Sequence, residues 1–215
     1  MTSQTPVPTH PVLGLTHRFV PGTDPHRPPL LLLHGTGGDE NDLVPLGRAI
    51  APGAALLSAR GAVLENGMPR FFRRLAEGVF DEADLRRRAG ELADFVTAAR
   101  TAYGLPAPIA VGFSNGANIA AATLLLHPGT FAGAVLIRAM VPFADSPPAD
   151  LAGCPVLMLS GASDPIVPAG NARALAQTLT GRGASVDHVV LPVGHGLSQA
   201  DIDRATPWLA GLRSA

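Results

Sequence analysis

Apolar runs of strand length alternate with helical patterns along this chain, and that alternation limits the folds it can adopt. The segment LLLLH, residues 30–34, is a near-continuous apolar run bounded by prolines and glycines, which is typical of a strand covered on both faces. Strands and helices in such alternation favour an α/β fold with an open, mostly parallel sheet and helices on both faces. The other predicted strands are residues 12–20 at the sheet edge, 54–59, 108–113, 133–138, 155–160 and 186–192.

The clearest helical pattern covers about residues 82–103. Leu85, Ala89 and Leu92 recur there at spacings of four and three, while charged residues occupy the other faces. One helix face is therefore expected to pack on the sheet. Further helical patterns cover residues 42–50, 115–127, 168–180 and 197–212.

The composition is that of a folded domain with no acidic or basic bias. Of 215 residues, 47% are hydrophobic and 15% charged, which excludes a disordered chain. We expect a flexible leader over residues 1–11 and a single catalytic domain over residues 12–215. A net charge of −1 gives no electrostatic reason to expect nucleic acid or an acidic membrane surface as a partner.

Cysteine usage and the N-terminal sequence indicate a cytoplasmic protein. The single cysteine, Cys154, excludes an intrachain disulfide or a cysteine metal cluster. The first residues lack the basic start and apolar stretch of a signal peptide, and no apolar run approaches the length of a membrane span. We therefore expect no membrane span; a homodimer is left open.

The segment GFSNG places Ser114 between a predicted strand and an alanine-rich helix. A sharp turn there needs small neighbours, which Gly112 and Gly116 supply, and it would expose a nucleophilic hydroxyl at the carboxyl edge of the sheet. The alternative is a glycine-serine turn that only begins a helix, since a chain with 24 glycines can contain the pattern by chance.

A serine nucleophile needs a base and an orienting acid, and two later strand ends supply them. Asp164 follows PVLMLS and His195 follows VDHVVL, in the order expected after Ser114. Asp164 alone could be a turn-forming Asp-Pro, and His195 alone could be a loop histidine. Their coincidence with Ser114 indicates a catalytic triad. Asp187 is the weaker candidate acid because it stands at the beginning of its strand and would point to the wrong edge of the sheet.

The glycine-rich segment HGTGGDEND follows the first buried strand. We expect the backbone N–H groups of Thr36 and Asn115 to bind the oxyanion of an acyl-transfer intermediate. A surface loop or a phosphate cradle is the alternative, but no Gly-Lys-Ser/Thr follows. The acidic residues 39, 40 and 42 are interpreted as caps of the next helix, and no metal ligand set and no cofactor site is expected.

The segment NGMPRFFRRL clusters arginines and aromatics in a chain that is only 5% aromatic. Phe71 and Phe72 are expected as walls of the substrate pocket, with Arg70 or Arg73 meeting a polar group. Ion pairs with nearby acidic residues over a packed phenylalanine pair explain the same residues equally well.

These motifs resemble the α/β-hydrolase superfamily, and within it the small carboxylesterase/phospholipase group that includes acyl-protein thioesterases and relatives of dienelactone hydrolase. The resemblance covers nearly the whole chain, through LLLHGTGGDENDL, VGFSNGANIA, GASDPIVP and GHGLS. The segment LENGMPRFFRRLAEGVFDE resembles a bacterial subgroup associated with quinone and hydroquinone stress.

The resemblance implies the α/β-hydrolase fold with Ser114, Asp164 and His195 as the triad and Thr36 and Asn115 as oxyanion donors. Dienelactone hydrolases usually carry a cysteine nucleophile, so Ser114 makes dienelactone a doubtful substrate. Acyl-protein thioesterases commonly have glutamine where Asn115 stands, a change that a backbone donor tolerates.

The segment RAMVPFADSPPADLAGC is too short for the cap domain that superfamily members with large substrates often insert. We therefore expect an open, shallow site and a small-molecule ester as the substrate. The predicted function is a metal-free serine esterase acting on small acyl or aryl esters. Thioester or lysophospholipid hydrolysis by the same triad is the alternative, and a non-catalytic binding protein on this scaffold is a third.

Overall fold

The structure, a computed structural model, describes residues 13–212, so the leader expected over residues 1–11 lies outside the described residues. The strands are β1 His17–Val20, β2 Leu30–Leu33, β3 Leu56–Ala59, β4 Val63–Glu65, β5 Met68–Arg70, β6 Arg74–Ala76, β7 Val79–Phe80, β8 Ile109–Phe113, β9 Gly133–Ile137, β10 Pro155–Gly161 and β11 Ser185–Leu191. The helices are α1 Val44–Ile50, α2 Glu82–Tyr103, α3 Asn115–Leu126, α4 Ala169–Gly181 and α5 Gln199–Ala210.

Within this described part, seven strands form the central sheet in the order β1-β3-β2-β8-β9-β10-β11. Only β1 is antiparallel to its neighbour, β3, and every other pair is parallel. The mostly parallel sheet predicted from the sequence is confirmed. The carboxyl ends of the parallel strands meet at one edge, where sites of such sheets lie.

The core lies on both faces of this sheet, because side chains alternate along each strand. The four leucines of β2 are fully buried, yet they belong to two different clusters. Leu31 and Leu33 pack with residues of α2, α3 and α4, whereas Leu30 and Leu32 pack with residues of α1 and α5. Helices therefore cover both faces, as the continuous apolar run predicted.

Two short hairpins, β4–β5 and β6–β7, were not among the predicted elements. Their strands have two or three residues, too few for a periodic pattern. The first hairpin turns at Asn66 and Gly67, which both have positive φ, and this Asn-Gly pair is a sequence signal of a tight hairpin. The segment between β9 and β10 contains no helix or strand, so no cap domain is present there.

The turn from β8 into α3 passes very close to the end of β2. A Cβ atom on Gly116 would lie 2.0 Å from the carbonyl oxygen of Leu33, and one on Gly112 would lie 2.5 Å from the carbonyl oxygen of Gly116. Both contacts are with backbone, which cannot move aside as a flexible side chain can. Glycine is required at both positions for this strand and helix to approach β2.

A buried carboxylate fastens the second hairpin to α2. Asp84 is 3% exposed and accepts a hydrogen bond from the Arg73 N–H at 2.8 Å, while Arg87 and Arg88 lie beside it on the helix. Burial by itself raises the pKa of Asp84, but the hydrogen bonds from Arg73 and Arg87 and the nearby positive charges outweigh it, so this pKa lies below its usual value. The folded state therefore favours the ionised carboxylate.

We expect Gly116→Ala to destabilise the fold by about 3 kcal/mol, the upper part of the usual range for overpacking, because the new methyl group meets backbone that is already in place. The matched control is Gly90→Ala in the middle of α2, where the added Cβ lies 3.7 Å from His127 in ordinary contact. That substitution should stabilise by about 0.5–1 kcal/mol through helix propensity. Urea unfolding measures both, and equal stabilities of the two variants would contradict the close approach.

Asp84→Asn should lower the free energy of unfolding near neutral pH, with a smaller effect in acid. The pKa of Asp84 is lowered on folding, so its contribution is complete above its unfolded pKa of about 3.9 and is lost as the pH falls through the lower folded value. Urea titrations of both proteins at about pH 7 and about pH 3 test this. If the free energies of unfolding of the two proteins differ as much at about pH 3 as at about pH 7, the prediction is wrong.

Candidate active site

Ser114 lies at the turn between β8 and α3 in a strained backbone conformation. Its φ of 52° and ψ of −112° fall in a region that non-glycine residues rarely adopt. The Ser114 N–H donates to the Ile137 carbonyl at 2.8 Å, and the Ser114 carbonyl accepts from the Asn118 N–H at 3.0 Å. A strained strand-to-helix turn of this kind presents the serine hydroxyl at the edge of the sheet.

The side chains of Ser114, His195 and Asp164 form a continuous hydrogen-bonded path. His195 Nε2 lies 3.0 Å from Ser114 Oγ, and His195 Nδ1 lies 2.8 Å from Asp164 Oδ2. With Nδ1–H donating to the carboxylate, Nε2 is left to accept the serine proton. The three residues that the sequence placed at separate strand ends are therefore in contact.

Asp164 is held by its own turn as well as by the histidine. Its Oδ1 accepts hydrogen bonds from the N–H groups of Ile166 at 2.8 Å and Val167 at 3.0 Å. Burial alone raises the pKa of Asp164, but these two N–H groups and His195 together bring it below its usual value. The sequence allowed Asp164 to be either a turn-forming residue or the partner of His195. In the structure Asp164 does both.

The side chains of Thr36 and Asn115 each accept a hydrogen bond from the end of β5 or the residue after it. Arg70 Nη1 donates to Thr36 Oγ1 at 2.6 Å, and the Phe71 N–H donates to Asn115 Oδ1 at 2.7 Å. Asn115 is the first residue of α3, so its N–H has no partner within the helix and is available to an anion. The contacts with residues 70 and 71 fix the two candidate oxyanion donors relative to each other.

His34, at the end of β2, shapes the loop that carries Thr36. Its Nδ1–H donates to the Gly35 carbonyl at 2.6 Å, and its Nε2 accepts from the Gly61 N–H at 3.0 Å. The ring stacks at a tilt on Phe71, with centroids 4.7 Å apart. Burial lowers the pKa of His34, which favours the neutral ring that these hydrogen bonds require.

A pocket of about 300 Å³ opens beside Ser114 and His195. Its wall combines a polar part, which includes Thr36 and Arg70, with an apolar part. The apolar residues that line it are Phe80, Phe113, Met140, Ile166 and Val167. The pocket is therefore suited to a ligand with one polar and one apolar region.

The expectation for Phe71 and Phe72 requires correction, because both side chains lie in the core and neither lines this pocket. Phe72 packs edge-to-face on Phe80 at 5.0 Å, and Phe80 forms the wall instead. Of the arginines in this segment, Arg70 and Arg74 reach the pocket, and both pair with Glu65 at 3.1 and 2.9 Å. The ion-pair alternative is also realised, with Arg74 on Glu77 and Arg73 on Asp81.

The acidic residues after the glycine-rich loop do not cap a helix, contrary to expectation. Helix α1 begins after Leu43 with no side-chain cap, and Glu40 pairs instead with Arg60. Asp39 caps only its own turn, through a 2.7 Å bond from the Asn41 N–H.

Within residues 13–212, no cluster of three or more potential metal-binding side chains is present, and no helix is long and apolar enough to cross a membrane.

Sequence reasoning missed Arg138, the residue that follows β9. Its side chain is fully buried and forms a bidentate ion pair with Asp201 at 2.8 and 3.0 Å. It also lines the pocket beside His195. The available signal was an arginine closing the apolar run GAVLIR, since a charge at the end of a core strand needs a buried partner.

The comparisons with known proteins agree with this geometry. A model of the phospholipase/carboxylesterase family matches residues 16–211. MhqD of Bacillus subtilis, which is named as a hydrolase, is 48% identical over 181 residues, covering 83% of this chain and 90% of that protein.

Two solved carboxylesterases have the same fold. The Bacillus cereus carboxylesterase is 44% identical with a TM-score of 0.89, covering 91% of this chain and 93% of that one. The carboxylesterase from Mesorhizobium loti is 35% identical with a TM-score of 0.90, covering 95% and 99%. The chain therefore belongs to the phospholipase/carboxylesterase family of α/β-hydrolases and is a hydrolase of that type.

Proposed function

We propose that this hydrolase cleaves carboxylic esters with small acyl or aryl groups through an acyl-enzyme on Ser114. The observation that carries the proposal is the hydrogen-bonded path from Ser114 Oγ through His195 to the Asp164 carboxylate. Each member of that path has the partner that its role requires.

In the acylation step, Ser114 Oγ attacks the ester carbonyl carbon while His195 Nε2 takes the hydroxyl proton. The negative charge of Asp164 stabilises the resulting imidazolium and holds the ring in its productive tautomer. The low pKa of Asp164 keeps this carboxylate ionised. The tetrahedral intermediate collapses when the C–O bond to the leaving alcohol breaks and His195 returns the proton to that oxygen.

The oxyanion of the intermediate is stabilised by the N–H groups of Thr36 and Asn115 in this proposal. Loss of one such donor typically costs about 10² to 10³ in rate. The contacts of Arg70 with Thr36 and of Phe71 with Asn115 support it, because donors fixed in advance need no reorganisation as charge develops. Water then attacks the acyl-enzyme with His195 as the base, which releases the acid and regenerates Ser114.

The size and setting of the pocket support small esters as substrates. Its volume of about 300 Å³ is at the lower limit for small-molecule sites. The chain between β9 and β10 adds no cap to enlarge it. We expect p-nitrophenyl acetate and butyrate to be hydrolysed faster than long-chain p-nitrophenyl esters, and a matching series of thioesters tests the alternative substrate class.

Ser114→Ala should reduce hydrolysis of p-nitrophenyl butyrate by about 10⁶-fold, because no other group on the path can form the acyl-enzyme. A fluorophosphonate probe should label the wild-type protein and not the variant. Circular dichroism checks that the variant is folded. The control is Ser185→Ala, an exposed serine at the start of β11, which should leave the rate unchanged. Near-wild-type turnover by Ser114→Ala would overturn the proposal.

Asp164→Asn should lower kcat for the same ester by about 10⁴-fold near neutral pH, because an amide favours the wrong histidine tautomer. The amide oxygen can still accept the N–H groups of Ile166 and Val167, so the turn should survive. Steady-state kinetics measures the loss. A decrease of less than about tenfold would exclude Asp164 as the orienting acid.

A further inference from the structure

Arg138 is a fully buried arginine at the carboxyl end of β9, between the nucleophile and the base. Its backbone has a φ of 58°, in the left-handed region that non-glycine residues rarely adopt. A strained backbone and a buried charge at one residue persist only where the surroundings hold both in place. Neither the positive φ nor the buried charge is needed to end a strand, so the contacts of the guanidinium must explain both.

The guanidinium binds the loop of the candidate base on both sides of it. Arg138 Nε donates to the Gly194 carbonyl at 2.9 Å, and Nη2 donates to the Gly196 carbonyl at 3.2 Å. His195 lies between these two glycines, which have no side chain that could pack against the protein and hold the loop. The guanidinium is therefore attached to the backbone on both sides of His195.

Asp201 anchors the guanidinium from the opposite direction. Its carboxylate accepts from Arg138 Nη1 at 2.8 Å and Nη2 at 3.0 Å, and it is 1% exposed. The same carboxylate accepts from the N–H and the hydroxyl of Ser198, each at 2.8 Å. The bond from the Ser198 N–H is one half of the capping box of α5, and the bond from the Asp201 N–H to the Ser198 side chain is the other. The ion pair thus connects the start of α5 to the loop that precedes it.

All donors of the guanidinium are used inside the protein. Nη1 donates to the Leu159 carbonyl at 3.1 Å in addition to Asp201, so the five N–H groups of the arginine each have an acceptor. Arg138 lines the pocket, yet no N–H remains for a substrate oxygen. Its contacts are those of a positioning residue and not of a substrate-binding one.

The end of β9 also holds the nucleophile. The carbonyl of Ile137, the residue before Arg138, accepts the Ser114 N–H at 2.8 Å. Two consecutive residues therefore contact the turn of Ser114 and the loop of His195. The hydrogen bond of 3.0 Å between Ser114 and His195 joins the two segments that this strand end holds.

We propose that Arg138, anchored by Asp201, is a positioning residue that holds the His195 loop so that the imidazole reaches Ser114 and Asp164. This inference rests on the proposed function, since it assigns Arg138 a role in the same reaction. Misplacement of a catalytic group by about 1 Å typically costs about 10²-fold in rate. Loss of the guanidinium fork should therefore reduce kcat without weakening ester binding.

The test compares Arg138→Lys with the wild-type protein in hydrolysis of p-nitrophenyl butyrate. Lysine keeps the positive charge but has only three donors on one nitrogen, so it cannot hold both glycine carbonyls and Asp201 in the same geometry. We expect kcat to fall by about 10- to 100-fold with KM changed by less than about threefold. A wild-type kcat in the folded variant, or a loss confined to KM, would overturn the proposal.

A second readout does not need turnover. The proton between His195 Nδ1 and Asp164 should give a far-downfield ¹H NMR resonance in the wild-type protein, and this resonance should broaden or disappear in Arg138→Lys. If the wild-type protein hydrolyses no ester, the proposed function fails, while the resonance still decides whether Arg138 positions His195. An unchanged resonance would overturn the positioning role.

Two further variants separate positioning from general destabilisation. Leu85→Ala creates a cavity in the core beside α2, at a residue that does not line the pocket, and should lower the thermal midpoint while keeping kcat per folded molecule. Asp201→Asn weakens the anchor without removing the guanidinium, and it should reproduce the loss in kcat even where Arg138→Lys does not fold. Wild-type kcat in folded Asp201→Asn, or a loss in Leu85→Ala equal to that of the Arg138 variant, would contradict the proposal.

Discussion

Parallel pairing of β2, β8, β9, β10 and β11 is the constraint on which the candidate site depends. Because these strands run in one direction, the loops that follow them emerge at the same edge of the sheet. Thr36, Ser114, Asp164 and His195 each follow a different strand of this set. Residues that are far apart in the chain thus meet without any of the strands deviating from regular pairing.

Much of this site could be predicted from the sequence because its signals are local. Gly112 and Gly116 are required by close backbone contacts within the turn and with β2, so the requirement is visible in the short motif GFSNG. Asp164 and His195 could be assigned because each stands directly after an apolar run. The order of the helices and of the strands in the central sheet could also be predicted, because these elements bury continuous or periodic apolar positions.

The rest depends on contacts that no local pattern records. Arg138 seemed an ordinary end to a strand, because its partners lie more than fifty residues further along the chain, at Gly194 and Asp201. The sequence shows that Phe71 and Phe72 are apolar, but it does not show whether they line the pocket or pack in the core. Both pack in the core. Helix α1 has no side-chain cap because its N-cap residue is Leu43, whose side chain cannot accept a hydrogen bond. Glu40 pairs instead with Arg60, which directly follows β3, and no local pattern indicates that pairing.

The attachment of the candidate nucleophile and the candidate base to consecutive residues at the end of β9 has a mechanical consequence. Because the turn of Ser114 and the loop of His195 are both hydrogen-bonded to that strand end, we expect a displacement of the strand end to carry both in the same direction. The distance between Ser114 and His195 should then vary less than the position of either residue. Proton transfer along a hydrogen bond depends on the distance between donor and acceptor, and a displacement shared by both atoms does not change that distance. Ser114 Oγ and His195 Nε2 can therefore stay aligned while the sheet itself fluctuates.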